Sequence, residues 1–325
     1  MHILNKTNID FMRWRWHAVA LSWVVILAGL GIIMTKGLPR GIEFAGGTSV
    51  LLQFDNPPSD DAVREALNRN YPGGGQDAIV QAYGAPTLRT KMIRVPHVGE
   101  EAGASLSSTS ESVEKAIRAG NLGNFTVVGT EIVGPAVGKE LSQRGLIATV
   151  LSLVGLLAYI AFRYQLSFAV GAVVATIHDL LVVVAFLAFF RYDLTLNVIA
   201  AILTVTGYST NDTIVIFDRV RENRAKSDKP LIEVLNDSIN QTLARTILTT
   251  STVVLTLLVL FLFNFGTRNV LEGFSFAMLV GVLSGAYSTV YIASPVLLWF
   301  ERWQAKRGGP GSHGTLAETV GEPTP

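Results

Sequence analysis

Cysteine is absent from this 325-residue chain. That removes disulfide frameworks, thiolate metal sites and cysteine nucleophiles together. Charge is scarce as well: Asp, Glu, Lys and Arg supply 16% of the residues, against about 25% in a soluble domain. The charges nearly cancel, leaving a formal net charge of +1, so the clustered basic excess of a nucleic-acid surface is missing. No cofactor loop is visible. What fills the chain instead is apolar, with 49% hydrophobic residues and a mean hydropathy of +0.40. This is the composition of a membrane protein with a soluble part.

Six apolar runs, at 18–34, 145–162, 166–190, 194–217, 247–265 and 273–300, are long enough to cross about 30 Å of hydrocarbon at 1.5 Å per residue. The first outruns a signal-peptide core and lacks a small-x-small cleavage site, so it reads as an uncleaved anchor. Gly155, Gly171, Gly281 and Gly285 are expected to let helices approach closely. Lys6, Arg13, Arg15, Arg163, Arg219, Arg221, Arg224, Lys226, Lys229, Arg245, Arg302, Lys306 and Arg307 all flank the runs on one side. The short loops on the other side carry only Arg191 and Arg268. Such a bias places both ends in the cytoplasm and the long segment after the first span outside it. Residues 230–246 space Leu231, Leu235, Ile239 and Leu243 along one face. They predict an amphipathic cytoplasmic helix, at about 230–245, lying on the membrane before the chain turns into the fifth span.

The chain thus divides into a cytoplasmic N-terminus with the first span (1–35), an outer segment (36–143), five further spans (144–305) and a Gly/Pro/Thr-rich tail (306–325) read as disordered. Within the outer segment, alternation predicts strands at 48–54, 78–83, 89–95 and 124–133. Capped helical patterns occupy 59–70 and 107–120. The order β-α-β-β-α-β is that of a ferredoxin-like α+β domain. The fold class is therefore a polytopic α-helical membrane protein of six transmembrane helices, with that domain between the first two.

Polar residues inside the spans carry the functional question. Asp212 follows Asn211 in the fourth run, and an Asp at a helix centre costs about 2.5–3.5 kcal/mol on insertion scales. Tyr208 and Ser209, four and three residues earlier, share its helix face. Arg245 stands at the entry to the fifth span, at a depth compatible with reaching Asp212. Burial favours the neutral acid and a nearby guanidinium the carboxylate, so moving that one cation would switch its charge. That is the least a proton carrier needs. His178 and Asp179 fall mid-span in the third run, either as a relay station or as a structural hydrogen bond between helices.

These residues carry a resemblance. GYSTNDTIVIFDRVREN (207–223) and TLARTILTTST (242–252), supported by GIEFAGGT (41–48) and IVGPAVGKEL (132–141), resemble the SecF family of the bacterial protein-export machinery. Glu43 stands where that family often shows Asp, and the tail has no counterpart. The resemblance implies a subunit of the cytoplasmic membrane, half of a twelve-span assembly with SecD that is related to RND transporters. It implies work beside the SecYEG channel, with YajC and YidC as further partners and an unfolded preprotein as cargo. It also implies coupling to the proton-motive force, with Asp212 and Arg245 passing protons and no cofactor. A further intramembrane acid would come from the partner.

Three other readings compete. Gly207-Tyr208-Ser209-Thr210 loosely matches the G-x-S-G of rhomboid proteases, which would need His178 at hydrogen-bond distance from Ser209. An RND-type efflux or lipid transporter usually has twice as many spans in one chain. A structural scaffold would leave Asp212 dispensable.

Overall fold

The computed structural model describes residues 7–72, 78–84, 86–95, 104–266 and 270–307. Arg268 and the tail from 308 lie outside them. The chain opens with helix α1 (Arg15–Lys36) and a short helix α2 (Ile42–Ala45). The sheet module follows: β1 (Gly47–Phe54), α3 (Asp60–Asn70), β2 (Ile79–Tyr83), β3 (Thr90–Val95), α4 (Ala104–Ala119) and β4 (Phe125–Val133). All six regular elements fall within a few residues of the stretches their patterns mark out. The strands form one sheet in the order β2-β3-β1-β4, every neighbour antiparallel.

Alternate residues of β1, Val50, Leu52 and Phe54, are buried with Val63 and Leu67 of α3 and Val113 and Ile117 of α4. A period of two on the strand and of three to four on the helices puts each apolar set on one face. The Ser59 hydroxyl accepts the Ala62 N–H at 3.2 Å and caps α3, satisfying one of the donors a helix start leaves free. Gly120 ends α4 because a Cβ there would lie 2.6 Å from that of Ala66. The two helices could not otherwise sit side by side.

The remaining helices are α5 (Pro135–Arg163), α6 (Leu166–Phe190), α7 (Leu196–Lys226), α8 (Leu231–Asn264), α9 (Val270–Ser288) and α10 (Ser294–Lys306), the last two joined through a π-helical turn at Thr289–Ala293. Among the described residues five helices are long and apolar enough to cross a membrane: Met12–Lys36, Ala136–Arg163, Leu166–Phe190, Leu231–Asn264 and Val270–Lys306. Helix α7 matches them in length at 31 residues. Asn211, Asp212 and the hydroxyl-rich turns around them dilute its apolar character below theirs. Helix α8 also departs from expectation. Its 34 residues run without a break, because no Gly or Pro interrupts 231–264. The face formed by Leu231, Leu235 and Ile239 is buried in the protein core and does not lie on the membrane before a turn.

Two apolar clusters fill the helical body. One gathers Met12, Phe168, Ala172, Ala175, Phe217, Leu235, Ile239 and Ala293. The other gathers Val183, Leu187, Val198, Val205, Ala277 and Val282. Between them along α6, α7 and α9 runs a layer of buried polar residues: His178, Asp179, Thr206, Ser209, Thr210, Thr213, Ser284, Ser288 and Thr289. Close helix approach makes this layer continuous. A Cβ on Gly281 would collide with the Val205 side chain, and one on Gly285 would lie 3.0 Å from the Ser209 Cβ. Gly155, by contrast, has nothing within 4 Å of such a Cβ, so its smallness serves no helix contact here.

Candidate functional site

Asp179, on α6, is fully buried at 0% exposure. Its Oδ2 accepts the hydroxyls of Ser209 on α7 at 2.6 Å and Ser288 on α9 at 2.8 Å. Its Oδ1 accepts the Ser284 hydroxyl at 2.6 Å and lies 3.1 Å from His178 Nδ1. Three hydroxyls thus donate to one carboxylate, and an imidazole nitrogen lies within hydrogen-bond distance of it. Each bond from α7 or α9 also fixes a helix against α6.

His178 is buried beside it, and its Nε2 has no hydrogen-bond partner among the described residues. The ring lies against Tyr287, with centroids 6.2 Å apart and planes 27° from parallel. Tyr287 donates its hydroxyl to the Ala18 carbonyl on α1 at 2.6 Å and accepts from Ser22 at 3.2 Å. The polar layer therefore extends from α7 and α9 through α6 to the first helix.

Asp212 lies one turn from Ser209 on α7 and is half-buried. It borders a cleft of about 360 Å³ lined also by Tyr208, Ser209, Asn211, Thr249, Thr250 and Ala286. Thr250 donates to Asp212 Oδ2 at 3.3 Å. The expected approach of Arg245 is not made: that residue is exposed on α8 and forms no ion pair with Asp212 among the described residues. It sits a little over one turn before Thr250 on the same helix. Tyr208 and Asn211 are exposed and make the outer rim of the cleft. Ser209 is the member shared by both groups, since it lines the cleft and also bonds Asp179.

The same bond bears on proteolysis. Ser209 gives its hydroxyl to Asp179, so the serine–imidazole pairing a nucleophile requires is not formed. Several site residues escaped the sequence reading. Ser284 and Ser288 are spaced one turn apart on α9 beside Gly281 and Gly285, a small polar face that could have flagged them. Glu272, near the start of α9, is 2% exposed and accepts the Tyr192 hydroxyl at 2.8 Å. A lone acid near a helix end gave no comparable signal.

At the C-terminal end of α6 the helical body meets the sheet module. Arg191 caps the helix in the left-handed region at φ 55°, a conformation few side chains adopt. Its guanidinium donates to the Gly37 carbonyl at 2.8 Å. Asp193 pairs with Arg94 of β3 at 3.1 Å. The Gly41 N–H donates to Leu194 O at 2.7 Å, and the Leu194 N–H to Pro39 O at 2.8 Å. Gly138 of α5 packs onto the backbone of residues 43–46, so the two glycine-containing segments of the motif set meet.

Fold and site together define a polytopic helical membrane protein with a carboxylate layer buried among its helices and a small sheet module attached at one end. Comparison with known proteins narrows this. The model of the family "Protein export membrane protein SecD/SecF, C-terminal" matches residues 112–303, and the SecD/SecF GG motif matches residues 31–58. The protein translocase subunit SecF of Pseudomonas aeruginosa is 41% identical over 293 residues, 90% of this chain and 91% of that one. The SecF of Escherichia coli O157:H7 is 36% identical, covering 89% and 87%. The crystal structure of SecDF, a translocon-associated membrane protein from Thermus thermophilus, superposes with a TM-score of 0.79 at 29% identity. That match covers 92% of this chain and 39% of the longer SecDF chain. A SecDF structure in a super-membrane-facing form gives 0.66 at 31% identity, with 94% and 40% covered. The chain belongs to the SecD/SecF family of protein-export membrane proteins.

Proposed function

We propose that the chain is a SecF-like subunit that, together with a SecD partner, uses the proton-motive force to promote late steps of protein export through the Sec machinery. The feature that supports the coupling is Asp212: a half-buried acid facing an open cleft, with no Lys or Arg paired to it among the described residues. An acid so placed can exchange a proton with water in the cleft. Its neighbour Ser209 ties that event to the helix contacts around Asp179. Arg245, exposed on the helix across the cleft, is the cation whose approach would discharge it. One proton crossing 100 mV releases about 2.3 kcal/mol, enough to bias a conformational equilibrium whose states differ by a few kcal/mol.

In this reading α7 is a sixth span, its polar face turned to the cleft and the interior rather than to lipid. Residues 36–143 form a ferredoxin-like module outside the membrane, 144–305 complete the bundle, and both ends lie in the cytoplasm of the inner membrane. The split β-α-β order and the antiparallel 2-3-1-4 arrangement support the first point; the distribution of Lys and Arg supports the others. SecYEG, YajC and YidC are the expected neighbours and an unfolded preprotein the cargo. The subunit does no covalent chemistry, and protons take the place of a cofactor.

The test is preprotein export into vesicles holding the protein with its partner, with and without a proton gradient. Asp212→Asn should assemble normally and lose the gradient-dependent stimulation. Arg245→Met should act similarly and Arg245→Lys retain part of it. Full stimulation in Asp212→Asn would refute the relay.

A further inference from the structure

Asp179 and Asp212 are joined through Ser209, and of the two only Asp212 lines the cleft. Asp179 lies deeper, fully buried and sealed between the two apolar clusters, with the hydroxyls of Ser209, Ser284 and Ser288 on it. No Lys or Arg pairs with it among the described residues; its single basic neighbour is His178, at 3.1 Å. With the carboxylate ionised, the tautomer its partner selects carries a proton on Nδ1. Nε2 is then a bare acceptor, buried and without a partner. A buried polar atom left unpaired costs roughly 1–3 kcal/mol, so a native structure that keeps one invites an explanation.

We infer that the His178–Asp179 pair is a second proton-binding site, which takes up one proton at His178 Nε2. Uptake converts a buried pair of charge −1 into a neutral imidazolium–carboxylate pair, and no other bond is made or broken. The pair is the unit that binds, because two groups in such contact titrate together. The groups facing the ring are few. Helix α6 supplies Asp179 and α9 supplies Tyr287. Among the described residues α1 supplies the Ala18 carbonyl and Ser22, which reach Tyr287, and α7 supplies Ser209, through Asp179. Asp212 lies one turn beyond Ser209.

Ser209 makes the two sites communicate. Its hydroxyl borders the Asp212 cleft and points to Asp179 Oδ2, so a change of charge on the pair alters a bond that holds α7 to α6. The inference rests on the proton-handling reading of Asp212 but can fail separately from it.

The experiment is nitrogen NMR of the full chain labelled with ¹⁵N-histidine, in lipid vesicles with its partner, across about pH 5–8, where histidine charge changes are observable. The His178 signal is identified by its loss in His178→Gln. The expected result is passage between the neutral tautomer and imidazolium within that range, retained in Asp212→Asn and lost in Asp179→Asn. A His178 signal indifferent to pH, or an imidazolium that persists in Asp179→Asn, overturns the inference. Should Asp179→Asn fail to assemble, Ser288→Ala removes one donor and leaves the pair intact. It must then move the midpoint of the transition, and an unmoved midpoint overturns the inference equally. Export stimulation lost in Asp212→Asn beside a silent His178 would leave the Asp212 relay standing alone. A titrating His178 beside normal export in Asp212→Asn would leave the deep site and remove the relay.

Discussion

The ion pair between Arg94 of β3 and Asp193, in the loop from α6 to α7, is the most informative place to cut the molecule. It joins the sheet module to the helical body across 3.1 Å, with side chains only 11% and 23% exposed. Exposed pairs contribute about 0–1 kcal/mol, whereas removing one partner of a buried pair costs about 3–5 kcal/mol. The observed burial places Asp193→Ala between them, at about 2–3 kcal/mol. Arg94→Ala should cost less, since it strands a more exposed carboxylate. Asp193→Ala strands a guanidinium whose Nε already lacks a partner. Neither change unfolds either part, because the backbone bonds of Leu194 to Pro39 and Gly41 remain. The energy appears instead as freedom between them, raising the population of displaced arrangements about 30- to 150-fold at tenfold per 1.4 kcal/mol. Spin labels at Glu65 on α3 and Leu271 on α9, both exposed, read this as a second distance in pulsed electron resonance. The exchanged pair Arg94→Asp with Asp193→Arg should return the distribution most of the way. Unchanged distances in both single variants, or no recovery in the exchange, would refute a tether. A variant that binds protons yet has lost gradient-dependent export would show that the tether transmits the movement.

Gly281→Ala should lower the thermal unfolding temperature in detergent, because the new methyl meets the stiff Val205 side chain and overpacking costs about 1–3 kcal/mol. Val205→Ala in the same chain should restore most of the loss; no rescue would mean that α7 and α9 are not in the contact described. At the N-terminus, Asn240 holds both the N–H and the C=O of Ile9, at 3.0 and 2.8 Å, and Asn236 accepts the Met12 N–H at 3.0 Å. Asn240→Ala should speed amide exchange at Ile9 about fivefold, from a net contribution near 1 kcal/mol, and leave exchange in the sheet module unaltered. Equal exchange in both proteins would show that this segment is held by something other than the asparagine.

How much was legible varies with the reach of the interaction. The sheet module could be read almost residue by residue, because Val50, Leu52 and Phe54 alternate and Val63, Ala66 and Leu67 keep helical spacing, and both periods are local. Five of the six apolar runs were equally plain; the fourth, in α7, is not among the helices apolar enough to cross a membrane. Joining the amphipathic stretch before the fifth run to that run was harder, since a turn was assumed where nothing breaks the helix. Asp212 stood out because a charge in an apolar run is conspicuous. Whether Arg245 stands beside it could not be read: sequence gives the depth of Arg245 along α8 but not the direction of its side chain around the axis. In the structure Thr250, on the same helix, is the residue that bonds Asp212. Ser284 and Ser288 were missed because a hydroxyl scarcely alters hydropathy. Their acceptor, moreover, lies more than a hundred residues earlier in the chain.

The placement of these groups suggests why the layer lies where it does. Asp179 and Arg191 are on one helix, 12 residues apart, or about 18 Å at 1.5 Å per residue. One end of that helix segment carries the carboxylate that binds α7 and α9; the other carries the junction that binds α1 and, through Asp193, the sheet. Helix α7 starts from the same junction and carries Ser209 and Asp212. Any change that lengthens the Ser209 or Ser288 bond to Asp179 therefore alters the relation of two helices that share an anchor next to the sheet module. Packed helices resist bending and interiors compress little, so a displacement of a few tenths of an ångström at the carboxylate is carried to the junction rather than absorbed on the way. A flexible linker between bundle and sheet would absorb it, and the backbone bridge and the Arg94–Asp193 pair oppose such looseness. On the proposed reading, coupling of protonation to movement needs no long-range field: a shared helix, a buried acid at its middle and a clamped loop at its end would suffice.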